Sequence, residues 1–214
     1  MVLEIIIVIV VILLSMTIHE AMHAFMGYAL GDDTARQEGR LTLNPIRHID
    51  PFMTVLLPLM MVLLHGPIFG GAKPVPFNPN RVRFGDWGAA LVALSGPITN
   101  LLIAFIVFGL GVICGIITSG GVMQPTIYGM VISTAVSVNL GFFIFNMLPI
   151  PPLDGSRILY AVAPEGVRVI MQKIEQQGAL LVFVLVLLFS GAVGQVMFGC
   201  TRAILHIFMM IFGV

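Results

Sequence analysis

SMTIHEAMHAFMG, residues 15–27, places two histidines and a glutamate at the end of a run, residues 2–25, that is otherwise apolar and long enough to cross a bilayer. A span needs about 20 apolar residues, and each ionisable group in hydrocarbon costs on the order of a few kcal/mol. Glu4 is the only other charge in the run. His19 and His23 stand at i and i+4, on one face of a helix, so both imidazoles reach towards one point, with Glu20 beside the first. A metal ion offsets the burial of these groups directly; chance placement offsets nothing. Imidazole nitrogens bind zinc at roughly 2.0–2.1 Å, and a catalytic zinc keeps one position open for water. Zinc lowers the pKa of that water towards about 7, which makes a carboxylate such as Glu20 a sufficient base.

Composition agrees with a membrane setting. Of 214 residues, 58% are hydrophobic and only 9% charged, against about 25% charged in a soluble domain. The chain reads as an all-α polytopic membrane protein, one membrane-embedded domain over 1–214 with a core at about 2–160. Ten basic and ten acidic residues cancel, so no electrostatic case exists for nucleic acid as a partner. Cys114 and Cys200 lie in apolar segments and read as packing residues rather than a disulfide or metal pair. Residues 1–24 carry no basic n-region and no small-residue cleavage site, so no cleavable signal is expected.

Further apolar runs cover 88–117, 127–148 and 178–214, for a bundle of about four to five membrane helices. The last run holds one span plus an amphipathic helix or two short spans, with Gly191 and Gly194 marking the expected break. Segment 52–65 has fourteen residues and a proline, Pro58. As a helix it reaches only about 21 Å, short of the roughly 30 Å core, and reads as a re-entrant or interfacial segment, not a span. GRLTLN (39–44) alternates like a short strand, and the Gly- and Pro-rich 65–86 is irregular or extended. Basic residues gather in 26–51, 66–87 and 149–177, while 118–126 has no charge. The positive-inside rule puts those three segments, and any short strands in them, in the cytoplasm and residue 1 outside.

Two histidines leave a hydrolytic zinc one protein ligand short. Asp154, in PPLDG just past the end of the 127–148 span, is the acid at matching depth. Alone it reads as a turn residue, since Pro, Asp and Gly all favour turns; beside an incomplete two-histidine site it reads as the third ligand. Both groups lie at C-terminal ends of spans, so an even number of crossings must separate them. Spans 88–117 and 127–148 supply two, and counting 52–65 as a crossing would break the parity.

A HExxH motif in one span, here His19-Glu20-Ala21-Met22-His23, and N-x-x-P-x-x-P-x-D-G at the end of a later one, here Asn146 to Gly155, resembles the site-2 protease family of intramembrane metalloproteases. Weaker similar pieces are GRLTLNPIRHIDP, GAKPVPFNP and ALSGPITN, and the resemblance runs from about residue 15 to 160. It implies one Zn2+ per chain held by His19, His23 and Asp154, with Glu20 as general base. It also implies cleavage of a peptide bond in or near a transmembrane segment of a substrate protein or peptide, at a site open to the cytoplasm. Asn146 matches an asparagine that assists the reacting carbonyl or contacts substrate. Neither a PDZ-like insertion nor a CBS pair is evident, as expected of a minimal member in a bacterial or archaeal cell membrane.

The competing class is a non-proteolytic membrane metal-binding, transport or substrate-binding protein. Transport needs polar residues along a path across the bilayer, and 88–117 and 127–148 hold no charge. His48, His65 and His206 read as interface residues, Asn100 and Asn139 as hydrogen-bonding between helices, with an approach of Asn100 to the site as the alternative, and Gly111 with Gly115 as helix packing. Oligomeric state is not legible in the sequence.

Overall fold

Helix α1 runs from Val2 to Ala29, about 42 Å at 1.5 Å per residue, and exposes Val2, Leu3, Ile5, Ile6, Ile9, Val10 and Leu14 along its length. An apolar surface of this extent is stable only in lipid. The computed structural model describes residues 2–49, 73–177 and 190–214. The expected re-entrant segment 52–65, with His65, and residues 178–189 lie outside the described residues.

After α1 come a single turn, α2 (Thr34–Gln37), and a 3-10 turn at Pro45–Arg47; α3 is Gly85–Ile113. A two-stranded antiparallel hairpin, β1 (Ile117–Thr118) and β2 (Val122–Met123), pairs Ile117 with Met123 and leads into α4 (Ile127–Asn146). Helices α5 (Gly155–Val162), α6 (Glu165–Gln176) and α7 (Ser190–Phe212) complete the described chain. Among the described residues, four segments are long and apolar enough to cross a membrane: Val2–Ala29, Gly85–Ile113, Ile127–Asn146 and Gly191–Phe212. Gly194 lies within the last of these helices and does not interrupt it, whereas Gly191 stands in its first described turn, next to residues 178–189.

The hairpin sits in the uncharged connection after α3, whereas GRLTLN, for all its alternation, forms a turn and bends that lead into the 3-10 turn. Gly115 is not a packing glycine either. It sits at φ +68°, its N–H donates to the carbonyl of Val112, and Ile116 N donates to Gly111 O at 2.8 Å. This is a Schellman stop, and Gly31 (φ 108°) ends α1 in the same way, with Asp32 N on Gly27 O.

The chain divides into two compact units: Met1–Val11 with Pro97–Val214, and Ile12–Gly96. In the first, Ala104 and Phe108 of α3, Ile117, Val136, Leu140 and Ile144 of α4, and Phe208 of α7 form a closed apolar core. The rings of Phe105 and Phe108 pack on Phe208 and Phe212 at centroid separations of 5.1–5.9 Å. Within it Asn100 Nδ2 donates to Asn139 Oδ1 at 2.8 Å, and Asn139 donates to Ala135 O. As expected from sequence, two buried amides join helices where no water is present to satisfy them. Arg157 of α5 pairs with Glu175 of α6. Both cysteines are free and exposed rather than in the core, Cys114 in the turn that ends α3 and Cys200 on α7.

In the second unit the chain returns past the end of α1 through buried Asp32. Its carboxylate accepts from Thr34 Oγ1 (2.5 Å), Thr34 N (3.1 Å) and Asn78 N (2.7 Å). Arg83 N donates to Leu30 O, and Arg81 pairs with Asp33 at 2.8 Å. Arg40 and His48 fasten the same segment: Arg40 Nη2 donates to Lys73 O, His48 Nε2 to Thr42 O, and Lys73 N to His48 O. His48 is therefore an anchor for residues 40–49.

Burial works to raise the Asp32 pKa, but the hydrogen bonds from Asn78 and Thr34 and the charge of Arg81 together outweigh it and hold the carboxyl below its ordinary 3.8. A depressed carboxylate contributes stability that is present above the unfolded-state pKa and is lost as pH falls through the folded value. Acidification below about pH 4 is therefore expected to lower the melting temperature of the wild type more than that of Asp32→Asn. At neutral pH Asp32→Ala is expected to cost about 1–3 kcal/mol, because it strands donors that are shielded from water. Thermal unfolding in detergent across this pH range checks both, and identical pH profiles would remove the carboxylate from the account.

Candidate metal centre

Helix propensity and the i, i+4 spacing place His19 and His23 on one face of α1, in the second unit. Their Nε2 atoms lie 3.0 Å apart and the rings meet edge to face, with centroids 4.6 Å apart. Two nitrogens bound to one tetrahedral zinc stand about 3.3 Å apart, so the pair is already close to chelating geometry. His19 is buried and His23 half-buried.

The N-terminal part of α3 builds the surroundings of the two rings. His23 Nδ1 lies 2.8 Å from the carbonyl oxygen of Val92. Ser95 Oγ donates to that carbonyl at 2.6 Å and lies 3.4 Å from the same ring nitrogen. Gly96 supplies the room: a Cβ there would stand 2.5 Å from His23 Nε2 and 2.7 Å from His19 Cε1. Val92, Ser95 and Gly96 were not singled out by sequence reasoning. The signal was the Ser-Gly-Pro run of ALSGPITN in the middle of an apolar helix, where each of the three residues is unfavourable by propensity.

Glu20 points to the returning segment of the same unit, where Val75 N donates to its Oε2 at 2.9 Å. In Pro74-Val75-Pro76 only Val75 carries an N–H, so that bond is the single main-chain donation this triplet makes. Of the expected extended pieces, AKPVPFNP thus contacts the candidate base directly.

Asp154 and Asn146 belong to the first unit. Asn146 is the last residue of α4, and its Nδ2 donates to Phe142 O one turn back, at 3.0 Å. Beyond it, Met147 to Leu153 run as a chain of tight turns: Leu148 N on Phe145 O, Ile150 N on Leu148 O, Leu153 N on Ile150 O. Asp154 then occupies the N-cap position of α5 but makes no side-chain cap bond. Its carbonyl accepts from Arg157 N at 3.0 Å, so Asp154 stands in the turn that opens α5, where Pro, Asp and Gly are all favoured.

A donor set of two imidazoles and a carboxylate suits zinc in a hydrolytic site. Comparison with known proteins points the same way. Residues 112–190 match the model of peptidase family M50. YwhC of Bacillus subtilis, provisionally named a zinc metalloprotease, is 39% identical over 181 residues, covering 83% of this chain and 78% of its own. The chain belongs to peptidase family M50. Rip2 of Mycolicibacterium smegmatis, under the same provisional description, is 31% identical over 82% of this chain and 64% of its own length. Rip2 of Mycobacterium tuberculosis is 29% identical over 87% of this chain and 68% of its own. No solved structure matches the chain. The M50 assignment agrees with the resemblance carried by the two sequence motifs, and the relatives are bacterial.

Proposed function

We propose that this M50 protein is an intramembrane zinc endopeptidase that hydrolyses peptide bonds in or near transmembrane segments of membrane proteins. The observation that carries the reading is the His19–His23 pair, Nε2 to Nε2 at 3.0 Å, with Glu20 beside it. Two imidazoles leave a hydrolytic zinc one protein ligand short, and Asp154 is the carboxylate that the family resemblance assigns to that place. When bound, zinc supplies a Lewis acid for the scissile carbonyl and makes water a nucleophile near neutral pH.

The chain's own groups do the rest. Glu20 accepts the proton of the attacking water and returns it to the leaving amine as the C–N bond breaks. Val75 N holds Oε2 of Glu20, which fixes the carboxylate's orientation and directs the other oxygen to the water. Asn146 exchanges its bond to Phe142 O for one to the carbonyl oxygen of the substrate, where negative charge develops. The basic residues of 26–51, 66–87 and 149–177 favour a cytoplasmic opening, with the N-terminus outside. A buried peptide bond in a helical substrate is shielded by its own hydrogen bonds, so the substrate unwinds locally before it reacts.

Metal content of the purified full chain and of two variants tests the ligand set. About one zinc per chain is expected in the wild type, with loss in His23→Ala and in Asp154→Ala. Retention of full zinc by Asp154→Ala would remove the aspartate from the site and with it the parity of spans that links the two motifs.

A further inference from the structure

A carbonyl oxygen carries lone pairs and no proton. At 2.8 Å from Val92 O, Nδ1 of His23 therefore holds the hydrogen; a bare Nδ1 would set two lone pairs against each other. In a neutral imidazole this leaves Nε2 unprotonated, and Nε2 is the atom that faces His19. Ser95 is three residues on from Val92, and its hydroxyl donates to the same carbonyl. Such a bond is common in helices and is often no more than a satisfied serine. Here it has a second consequence. The hydroxyl fixes the direction of the carbonyl, and its oxygen lies 3.4 Å from Nδ1, so it closes off the side of the ring that must not turn towards the metal. Val92 and Ser95 are both buried, which keeps competing water from the carbonyl.

We infer that Ser95, acting through the Val92 carbonyl, is a positioning residue for His23: it holds the ring as the Nδ1–H tautomer with Nε2 aimed at the metal. The inference rests on the zinc reading above. Groups that orient a ligating histidine typically contribute 10- to 100-fold in metal affinity. Because Val92's carbonyl survives any side-chain change, Ser95→Ala is expected at the lower end, a loss of about tenfold.

Two measurements on the full chain in detergent test it. Nitrogen-15 NMR of the histidine-labelled, metal-free protein reads the tautomer directly. His23 is expected wholly as Nδ1–H in the wild type and in Ser95→Thr, which keeps the hydroxyl, and with a measurable minor share of Nε2–H in Ser95→Ala, where the Val92 carbonyl alone still favours Nδ1–H. Zinc affinity by chelator competition is expected to fall in Ser95→Ala and to be restored in Ser95→Thr. A role in helix packing alone would change the melting temperature and leave the tautomer untouched. An Nε2–H tautomer in the wild type overturns the inference whatever the fate of the variants. Zinc bound through His23 in the wild type and held equally tightly by Ser95→Ala overturns it while leaving the zinc reading intact. A wild type that binds no zinc through His23 overturns the zinc reading and this inference together.

Discussion

Replacing Glu20 by Gln is expected to lower peptide-bond hydrolysis by about 100- to 10,000-fold, the contribution of a positioned general base, while zinc stays bound. That loss corresponds to about 3–5 kcal/mol of barrier. Glutamine is nearly isosteric, and its amide oxygen still accepts from Val75 N, which in the wild type donates to Oε2 at 2.9 Å. The returning segment therefore keeps its attachment to α1. What disappears is the ability to take a proton from water, since an amide oxygen is far too weak a base. Single-turnover cleavage of transmembrane peptides, alongside zinc content, is the measurement. Cleavage at the wild-type rate would remove Glu20 from the chemistry. Zinc bound by both proteins, with cleavage by neither over a broad peptide panel, would favour the non-proteolytic binding class.

Gly96→Ala sets two effects against each other. In an ordinary helix interior the change stabilises by about 0.5–1 kcal/mol, because glycine loses the most backbone freedom on folding. At residue 96 the added methyl would meet His23 Nε2 at 2.5 Å, His23 Cε1 at 2.6 Å and His19 Cε1 at 2.7 Å. These are atoms of planar rings, one of them held by Val92 O, and not the ends of flexible chains. Overpacking of this kind costs about 1–3 kcal/mol, so the second effect wins. The rings are pushed from chelating geometry, and both zinc content and cleavage are expected to drop together. A variant that melts at a higher temperature than the wild type and keeps its zinc would show that the cradle has slack, and that Gly96 is there for reasons other than fit.

Most of the first span was legible because its information is local. Twenty or more apolar residues leave few alternatives, and the i, i+4 spacing of His19 and His23 puts them on one face for any helix. The interhelical bond between Asn100 and Asn139 was also foreseeable, since an amide buried in lipid has few other partners. Turn chemistry was harder. The small-xxx-small spacing of Gly111 and Gly115 suited a packing face, yet Gly115 takes a positive φ and stops α3. Gly194 looks like a breaker but lies inside α7; glycine lowers helix propensity by only about 1 kcal/mol, which neighbouring turns readily outweigh. GRLTLN alternates as a strand does, but its Arg40 is drawn inward to Lys73 O and the segment bends instead.

From sequence alone came the membrane setting, the candidate chemistry of His19, Glu20, His23 and Asp154, and the kinship with intramembrane metalloproteases. All of these depend on residue type and short-range spacing. Only the tertiary structure decided which backbone groups serve those side chains: the Val92 carbonyl on His23, the Val75 N–H on Glu20, and the missing side chain of Gly96 against both rings. A main-chain carbonyl or N–H is the same at every residue and leaves no mark in the sequence. Its role is set by which segments the fold brings within 3 Å of one another, over separations of 55 to 69 residues.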